Sequence, residues 1–405
     1  MIVFVDYLYK EIGGVGQLVI NTVCALNNIS QSAKVFCSKE SYEYKGLISN
    51  NASFIHIDSD TVPLDDLGKY LEKDDVILLT HINNTPLLEA IKHIGNKLLF
   101  YSVHPDTFFV YNRILDFLCL QKKEAVRLVN QLENKNGLIF MDYPNVEGVN
   151  NRGCKLDYDR VKYLPISVPS CGKIRNKRVN NDEIHITYMG RGNADWKIYP
   201  VVKILKDLQA TQLKVKLTII TDKNDLYRTM IQQSILPNSI VIDYENGLSG
   251  ERLQKYLMEK SDLHFAMGTS ALEAAKLGIP TIVLDISYKV YPENYKYKWM
   301  YESKGFSLAN NITNETSFEG RSMSEILDVI NDPIKYSNLS ELNYEYVRTN
   351  HFIESYIDNL LKYVGQTEMT VKDYCDTRFS RNMKNVLPIV LNIGKIKRFV
   401  LRQNS

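Results

Sequence analysis

Three side chains between residues 190 and 275, Arg191, Lys197 and Glu273, are of types that could bind a nucleotide diphosphate together. Arg191 and Lys197 belong to the segment Met189-Gly-Arg-Gly-Asn-Ala-Asp-Trp-Lys197, which directly follows a short apolar run. An arginine offers a planar fork of donors and a lysine a compact charge, so the two can converge on a diphosphate. Two solvated surface cations are the alternative interpretation.

Glu273 belongs to the segment 262–285, whose pattern predicts a strand, a turn, a short helix and a second strand. The turn, Gly268-Thr269-Ser270, combines a glycine with hydroxyl groups at the predicted start of the helix. Backbone N–H groups there can face phosphates, while a carboxylate can accept hydrogen bonds from ribose hydroxyls. Ser270 and Glu273 also fit the S-x-x-E capping box, in which Glu273 would serve only its own helix.

A glycine-rich loop, Gly13-Gly14-Val-Gly16, precedes an amphipathic segment at 16–27. Gly14 and Gly16 can bring backbone N–H groups close to a phosphate or a sugar. The loop lacks the third glycine of a dinucleotide fingerprint, and a Ser-Lys pair follows the second predicted strand where an acidic ribose ligand is expected. A plain tight turn is the alternative interpretation.

Two histidines, His81 and His104, follow predicted strands of the first half. A histidine at the carboxyl end of a strand can donate to a sugar hydroxyl or act as an acid or base near neutral pH. Asp106 and Asp142 are weaker candidates for the same role. An ordinary hydrogen-bonded histidine is the alternative, more so for His81 than for His104.

An aromatic and basic segment follows at 288–299, with four tyrosines, three lysines and a tryptophan. Aromatic faces with nearby cations can bind sugar rings or anionic groups. The same composition is equally typical of a segment that packs between domains.

Short apolar strands alternate with helix-length segments on both sides of a polar, aperiodic stretch, and this alternation predicts two doubly wound parallel α/β sheets. Ligands of such sheets bind outside the carboxyl ends of the strands, so two facing sheets would create a cleft. We predict an N-terminal domain at 1–169, a linker at 170–183, a second domain at 184–365 and a basic tail at 366–405. The predicted strands are 2–5, 34–37, 53–57, 76–80, 97–103, 137–141 and 162–165, then 184–189, 214–221, 239–243, 263–266 and 281–285.

Composition favours a globular protein that works in a reducing compartment. The 405 residues can form two cores of ordinary domain size, and the formal net charge of +2 gives no general attraction to nucleic acid. The six cysteines form no C-x-x-C pair and no cluster with the seven histidines, so neither a disulfide framework nor structural zinc is expected. The chain begins with a predicted strand rather than a signal peptide and has no run of about 18 apolar residues, so we expect a cytoplasmic location.

The tail has no acidic residue after Asp376 and seven basic ones around the apolar runs 386–391 and 399–401. Such a tail can lie on an anionic membrane surface, here the inner face of the membrane. Pro388 and Gly394 would interrupt a long helix, and a packed or frayed C-terminal helix is the alternative.

Taken in order, these motifs resemble the GT-B nucleotide-sugar glycosyltransferases, particularly the bacterial group 1 set. The resemblance runs from residue 1 to about 365 and is strongest across 184–285. Its matching features are the Gly13-Gly14 loop, His104, a crossing segment at 163–169, the Gly190-Arg191 loop with Lys197, and the Glu273-Ala-Ala-Lys-Leu-Gly-Ile-Pro280 helix.

The resemblance implies two Rossmann-like domains, an N-terminal one for the acceptor and a C-terminal one for the donor. Arg191 and Lys197 would hold the donor diphosphate without a metal, Glu273 the ribose, and His104 the donor sugar. Further donor contacts would come from Gly14, Gly16, Gly268, Thr269 and Ser270. If the reaction inverts configuration, His104 or Asp106 would act as base; if it retains configuration, no such base is required.

One position departs from that family. Many group 1 enzymes carry two glutamates separated by seven residues, and the first would fall at Phe265 here. The resemblance therefore implies a glycosyltransferase that moves a sugar from a nucleotide-diphosphate donor to a glycan or lipid-linked glycan acceptor in bacterial surface polysaccharide synthesis. The contact that this glutamate makes to the donor sugar would be absent or supplied from elsewhere.

Four other functions are open from the sequence. A metal-dependent glycosyltransferase of the other common fold would use Asp58-Ser-Asp60 or Asp157-Tyr-Asp159, although the tandem layout disfavours that fold. An NAD-linked oxidoreductase is disfavoured by the imperfect glycine loop. A nucleotide-sugar epimerase of related fold could share the Glu273 helix, and Phe265 gives weight to a catalytically silent subunit that binds glycans or a partner.

Overall fold

A computed structural model describes residues 1–5, 14–38, 53–57, 64–109, 122–172, 183–192, 195–211, 213–232, 239–313 and 316–385. The chain divides into two compact units. The first unit combines Met1–Ile166 with Ile353–Ser405, and the second is Ser167–Phe352.

The first unit contains a six-stranded sheet in which every neighbouring pair is parallel. The order along the sheet is β3-β2-β1-β4-β5-β6, so the direction of winding reverses between β1 and β4. The strands are β1 Ile2–Val5, β2 Ala33–Ser38, β3 Ser53–Ile57, β4 Val76–Leu79, β5 Lys97–Ser102 and β6 Leu138–Phe140.

The second unit repeats this plan, with the order β12-β11-β10-β7-β8-β9 and the reversal between β7 and β10. The first five strands are parallel, and the short β12 pairs antiparallel with β11. The strands are β7 Glu183–Met189, β8 Lys214–Thr221, β9 Ile240–Asn246, β10 Leu263–Ala266, β11 Thr281–Val283 and β12 Lys298–Trp299.

The strands form because they are short, nearly continuous apolar runs with helices between them. All four residues of β1, β4 and β10 are buried, as expected for parallel strands covered on both faces. The helices are α1 Gly14–Asn28, α2 Thr85–Ile91, α3 Lys122–Asn134, α4 Tyr143–Asn150, α5 Asp195–Gln209, α6 Asp225–Gln232, α7 Gly250–Lys260, α8 Thr269–Ala275, α9 Met323–Asn331, α10 Pro333–Asn350, α11 Ile353–Gln366 and α12 Val371–Cys375.

The predicted fold class, α/β with two doubly wound parallel sheets, is confirmed. One predicted strand does not form: of 162–165, only Tyr163 makes an isolated bridge, to Phe140. The sequence pattern also missed β12, because two residues are too few to show a period. The helix α3 begins at Lys122, and residues 110–121 lie outside the described part.

The chain passes from one unit to the other at two points, and both differ from the predicted domain boundaries. The second unit begins at Ser167, and the chain returns to the first unit at Ile353 rather than remaining in the second unit until 365. The cause is the apolar face of α11, because Tyr356, Ile357 and Leu360 join the buried cluster around β1 and α1. Of the predicted linker 170–183, residues 173–182 lie outside the described part.

The described part of the C-terminal segment packs against the first unit. Phe379 and Met383 are buried in its core, and the Tyr374 hydroxyl lies 3.0 Å from Thr85 Oγ1. Residues 386–405, which carry most of the predicted membrane-binding segment, lie outside the described part. Among the helices described, none combines the length and apolarity needed to cross a bilayer.

Candidate functional site

The reversal of winding in the second unit places two of the predicted loops side by side. Met189 at the end of β7 pairs with Ala266 at the end of β10. The segment Gly190-Arg191-Gly192 and the turn Gly268-Thr269-Ser270 therefore leave the same edge of the sheet from neighbouring strands. This topological position is where open α/β sheets bind ligands.

The loop after β7 is held in place by close packing that only glycine permits. A Cβ on Gly192 would lie 1.7 Å from the carbonyl oxygen of Lys223. The Gly192 N–H donates to Asp222 Oδ1 at 2.7 Å, and this hydrogen bond lowers the pKa of Asp222. The Tyr227 hydroxyl donates to the carbonyl of Arg191 at 3.2 Å. The backbone of the loop is thereby fixed, while the Arg191 side chain is exposed.

Lys197 lies in the first turn of α5 and is only 7% exposed. Its Nζ lies 4.5 Å from the centre of the Trp196 ring, and its carbonyl accepts from the Tyr188 hydroxyl at 2.5 Å. Burial, and secondly the charge of nearby Arg191, lower the pKa of Lys197 to about 8.

Arg191 and Lys197 form a pair of like charges. Among the side chains that the structure describes, no carboxylate forms an ion pair with either of them. A buried cation next to a second cation is unfavourable unless an anion joins them. The arrangement is therefore suited to an anionic ligand, and the α5 N-terminus adds the positive end of its helix dipole.

Glu273 lies on α8, after a turn in which Gly268 has a φ of +64°. Gly268 is the N-cap and no side chain caps the helix, so the Ser270–Glu273 capping box does not form. Glu273 instead pairs through Oε2 with Lys276 Nζ at 2.7 Å. The lysine side chain is 1% exposed and the glutamate 25%, so the carboxylate remains partly accessible to a ligand.

Phe265, the position at which the resembling family has its first glutamate, lies in the middle of β10. It is fully buried and packs edge-on against Tyr297, with 5.6 Å between ring centres. The turn that follows β10, Met267 to Ser270, contains no carboxylate. The departure noted in the sequence is therefore a core position rather than an altered site residue.

In the first unit, His81 follows β4 and His104 follows β5. His104 is exposed, and His81 is a half-buried residue whose pKa is lowered to about 4, mainly by burial and secondly by His104. Gly14 and Gly16 belong to the first turn of α1, whereas Gly13 lies outside the described residues.

The acidic candidates of the first unit already have protein partners. Asp106 forms an ion pair with Arg152, and its N–H donates to His104 Nδ1 at 3.1 Å. Asp142 caps α4 by accepting from the Asn145 N–H at 3.1 Å, and burial raises the pKa of Asp142 to about 6. These contacts give both carboxylates a structural role, and they leave His104 as the more accessible group.

The aromatic segment 288–299 is mainly core of the second unit. Tyr291, Tyr295, Tyr297 and Trp299 are buried, and only Tyr288 among the aromatic residues of this segment is strongly exposed, at 72%. These four rings therefore pack inside one unit rather than between domains, and they form no exposed platform for a sugar.

The residues that support the site were not predicted from the sequence. Asp222, which accepts from the Gly192 N–H, directly follows the apolar strand β8. That position at a strand end could have marked it as a candidate site residue. Lys276 follows Glu273 by three residues, a spacing that favours an ion pair on a helix. Nothing in the sequence indicated that Lys276 would be buried.

The residues described contain no group of three or more His, Cys, Asp and Glu side chains that could hold a metal ion. Of the two Asp-x-Asp tripeptides, Asp58-Ser-Asp60 lies outside the described part. Asp157 and Asp159 are exposed, and Asp157 accepts from the Asp159 N–H at 3.0 Å.

No family model matches the chain, and no curated protein sequence matches it at a significant level. Solved structures do. The apo form of the lipopolysaccharide outer core galactosyltransferase WaaB is 12% identical, covers 90% of this chain and 99% of its own, and has a TM-score of 0.57. A glycosyltransferase from Rickettsia africae is 13% identical, with 90% and 97% coverage and a TM-score of 0.57.

A third solved structure was obtained with bound ligands. Anabaena HepE, in complex with UDP and glucose, is 12% identical, covers 90% of this chain and 99% of its own, and has a TM-score of 0.54. Identities this low establish architecture rather than activity. Together with the two parallel sheets, they show that the chain has the fold of the GT-B glycosyltransferases.

Proposed function

We propose that the protein is a glycosyltransferase that moves a sugar from a nucleotide-diphosphate donor to a glycan acceptor. The observation that carries the proposal is the cation pair Arg191 and Lys197, which has no carboxylate partner among the described side chains. This pair lies at the topological switch point of the second unit, where close packing at Gly192 fixes the loop.

Sugar transfer needs charge stabilisation on the diphosphate that departs, and the cation pair would supply it. Arg191 would contact the phosphates as a fork, and Lys197 as a point charge fixed by the packing around α5. Glu273, on the neighbouring strand-helix unit, would accept from the ribose hydroxyls. We expect these groups to act without a metal, so that transfer persists in excess chelator.

The acceptor hydroxyl must be held near the anomeric carbon of the donor. If the reaction inverts configuration, His104 is the stronger base candidate of the first unit, because it is exposed while Asp106 is paired with Arg152. If the reaction retains configuration, His104 would serve only to contact the donor sugar.

The solved structures support a finer proposal about substrates. One of them is a lipopolysaccharide galactosyltransferase and another holds UDP and glucose. We therefore propose a nucleotide-diphosphate hexose as donor and a growing bacterial surface polysaccharide, free or lipid-linked, as acceptor. The basic residues of 386–405 would bring a cytoplasmic enzyme close to an anionic membrane that carries such an acceptor.

A second candidate is a catalytically silent subunit that binds glycans without transferring sugar, because the turn after β10 supplies no carboxylate in place of the first glutamate of the resembling family. Calorimetry with UDP, ADP, GDP and CDP tests the nucleotide site first, and incubation of the matching nucleotide sugars with and without acceptor glycans tests transfer. Binding and acceptor-dependent release of the nucleoside diphosphate are expected. Binding without any release would favour the silent subunit, turnover without acceptor would favour an epimerase, and no binding would refute the proposal.

A further inference from the structure

The ion pair between Glu273 and Lys276 is unusual because its lysine is almost completely buried. The Lys276 side chain is 1% exposed, and its Nζ lies 2.7 Å from Glu273 Oε2. Lysine is almost never fully buried unless it is paired, because removing an ammonium from water is costly. Within the described residues, Glu273 is the ion partner of Lys276 that the geometry identifies.

A comparable pair in the first unit shows what is special about this one. Glu89 and Lys92 have the same spacing on α2 and a similar distance, 2.9 Å, but Lys92 is 43% exposed and Glu89 only 10%. In that pair the lysine is the partner that reaches solvent. In the Glu273–Lys276 pair the lysine is enclosed and the carboxylate reaches solvent, so the lysine can act on the carboxylate but not on a ligand.

Rigid placement of the carboxylate follows from this geometry. α8 packs between the strands β10 and β11 on one side and α10 on another, so the buried ammonium has little freedom. Its Nζ lies nearest to Oε2, and Oε1 has no hydrogen-bond partner among the described residues. One oxygen is fixed by the protein, and the other is available to accept from a ligand hydroxyl.

We infer that Lys276 is a positioning residue, which holds the Glu273 carboxylate in the orientation that accepts from the ribose hydroxyls of the bound nucleotide. The inference rests on the proposed function, since it concerns the nucleotide half of the same site. Lys276 touches no substrate itself. Its effect is to make the site selective for ribonucleotides by keeping one carboxylate oxygen aimed outward.

The test compares four proteins: the unaltered chain, Lys276→Met, Glu273→Gln and the double variant. Methionine keeps the length of the buried side chain without its charge. For each protein, calorimetry gives the Kd of whichever of UDP, ADP, GDP and CDP binds the unaltered chain most tightly, and the Kd of the 2′,3′-dideoxy form of that nucleotide. Inorganic pyrophosphate, which has no ribose, reports whether the cation pair and the fold are intact.

We expect the unaltered chain to prefer the ribonucleotide by about 10-fold or more, the value of a hydrogen bond to a charged group. In Lys276→Met the preference should fall to within about 3-fold, and adding Glu273→Gln should change it no further, because both substitutions remove one interaction. Pyrophosphate binding should be unchanged in all four proteins, and Lys92→Met, the matched control, should keep the full preference.

The outcomes separate the inference from the function on which it rests. A Lys276→Met protein that keeps the ribose preference would overturn the inference alone, and the ion pair would then be purely structural. Absence of any preference in the unaltered chain would also overturn the inference. If no nucleoside diphosphate binds the unaltered chain, the proposed function fails as well.

Discussion

The two units have the same architecture at the edge of the sheet where the parallel strands end. They differ in whether the charged side chains at that edge have partners. Both edges follow parallel strands at a reversal of winding. In the first unit, Asp106 is neutralised by Arg152 and Asp142 caps α4. In the second unit, Arg191 and Lys197 lie together with no carboxylate partner among the described side chains. Unpaired charge, rather than the shape of the fold, distinguishes the edge of the second unit from that of the first.

The second unit maintains its cation pair at a cost in stability. The pKa of Lys197 falls from 10.5 to about 8, mainly because the side chain is buried. Such a shift corresponds to about 3 kcal/mol of unfavourable free energy at neutral pH. An anionic ligand that stabilises the charged form of Lys197 would recover part of this free energy.

The largest effect is expected from Gly192→Ala. The new Cβ would meet the backbone of Lys223 at 1.7 Å, so the loop carrying Arg191 must move. We expect nucleoside diphosphate binding to weaken by more than about 100-fold, the loss of two hydrogen bonds to charged groups. Calorimetry measures it, with Gly172→Ala as control because its Cβ would meet nothing within 4 Å. Unaltered affinity in Gly192→Ala would show that the position of this loop does not affect binding of the diphosphate.

Lys197→Met should weaken nucleoside diphosphate binding by about 10- to 100-fold, because it removes one buried charge from the phosphates. Lys206 lies on the same helix but is exposed and paired with Glu293 at 2.7 Å, so Lys206→Met is the matched control and should bind normally. Equal weakening by both substitutions would show that general charge, and not this position, attracts the ligand.

The two partners of the ion pair on α8 should differ in their effect on stability. Glu273→Gln leaves the buried Lys276 ammonium unpaired and should lower the free energy of unfolding by about 2 kcal/mol or more. Lys276→Met leaves a half-exposed carboxylate that water can solvate, and should cost less than about 1 kcal/mol. Urea unfolding measures both. The reverse order would mean that the lysine is not the buried partner.

Binding of a nucleoside diphosphate should weaken as pH rises through about 8. The pKa of Lys197 in the free protein is about 8, so the lysine is charged below that pH and increasingly neutral above it. We expect about a 10-fold loss of affinity between pH 7 and pH 9, and a flatter profile in Lys197→Met. The stability of the free protein should change in the opposite direction between pH 8 and 10.5, because there the unfolded state binds more protons. A profile in which Lys197→Met keeps the full loss would assign the titration to another group.

The smallest effect on nucleotide binding is expected from the first unit. Asp106→Asn and His104→Ala should each leave the Kd for a nucleoside diphosphate within about 2-fold, since neither is part of the cation pair. His104→Ala should lower the rate of sugar transfer if it contacts the donor sugar or acts as base. A large loss of nucleoside diphosphate affinity in either variant would remove the contrast between the two edges.

Much of the fold was predictable from the sequence, because strands such as β4 and β8 are apolar runs of the right length between amphipathic helices. The return of the chain to the first unit at Ile353 was not predictable. An amphipathic face such as that of Tyr356, Ile357 and Leu360 shows that a helix packs but not against which sheet. The two-residue strand β12 has too few residues to show alternation.

The site was only partly predictable, for a related reason. Residue types and strand ends indicated Arg191, Lys197 and Glu273 as candidates. They could not show that Asp106 is paired with Arg152, which is 46 residues further along the chain. Nor could they show that Lys276 is enclosed, because burial depends on the packing of α8 against other elements. Charge pairing and burial are properties of the folded chain.

The measurement that tests the central claim most directly compares a nucleoside diphosphate with its nucleoside, which lacks both phosphates, by calorimetry. The comparison uses the unaltered chain and the double variant Arg191→Ala/Lys197→Met. We expect the unaltered chain to bind the diphosphate at least about 100-fold more tightly than the nucleoside, and we expect this preference nearly to vanish in the double variant. A double variant that still folds and still prefers the diphosphate as strongly would contradict this expectation, because the phosphates would then be held elsewhere.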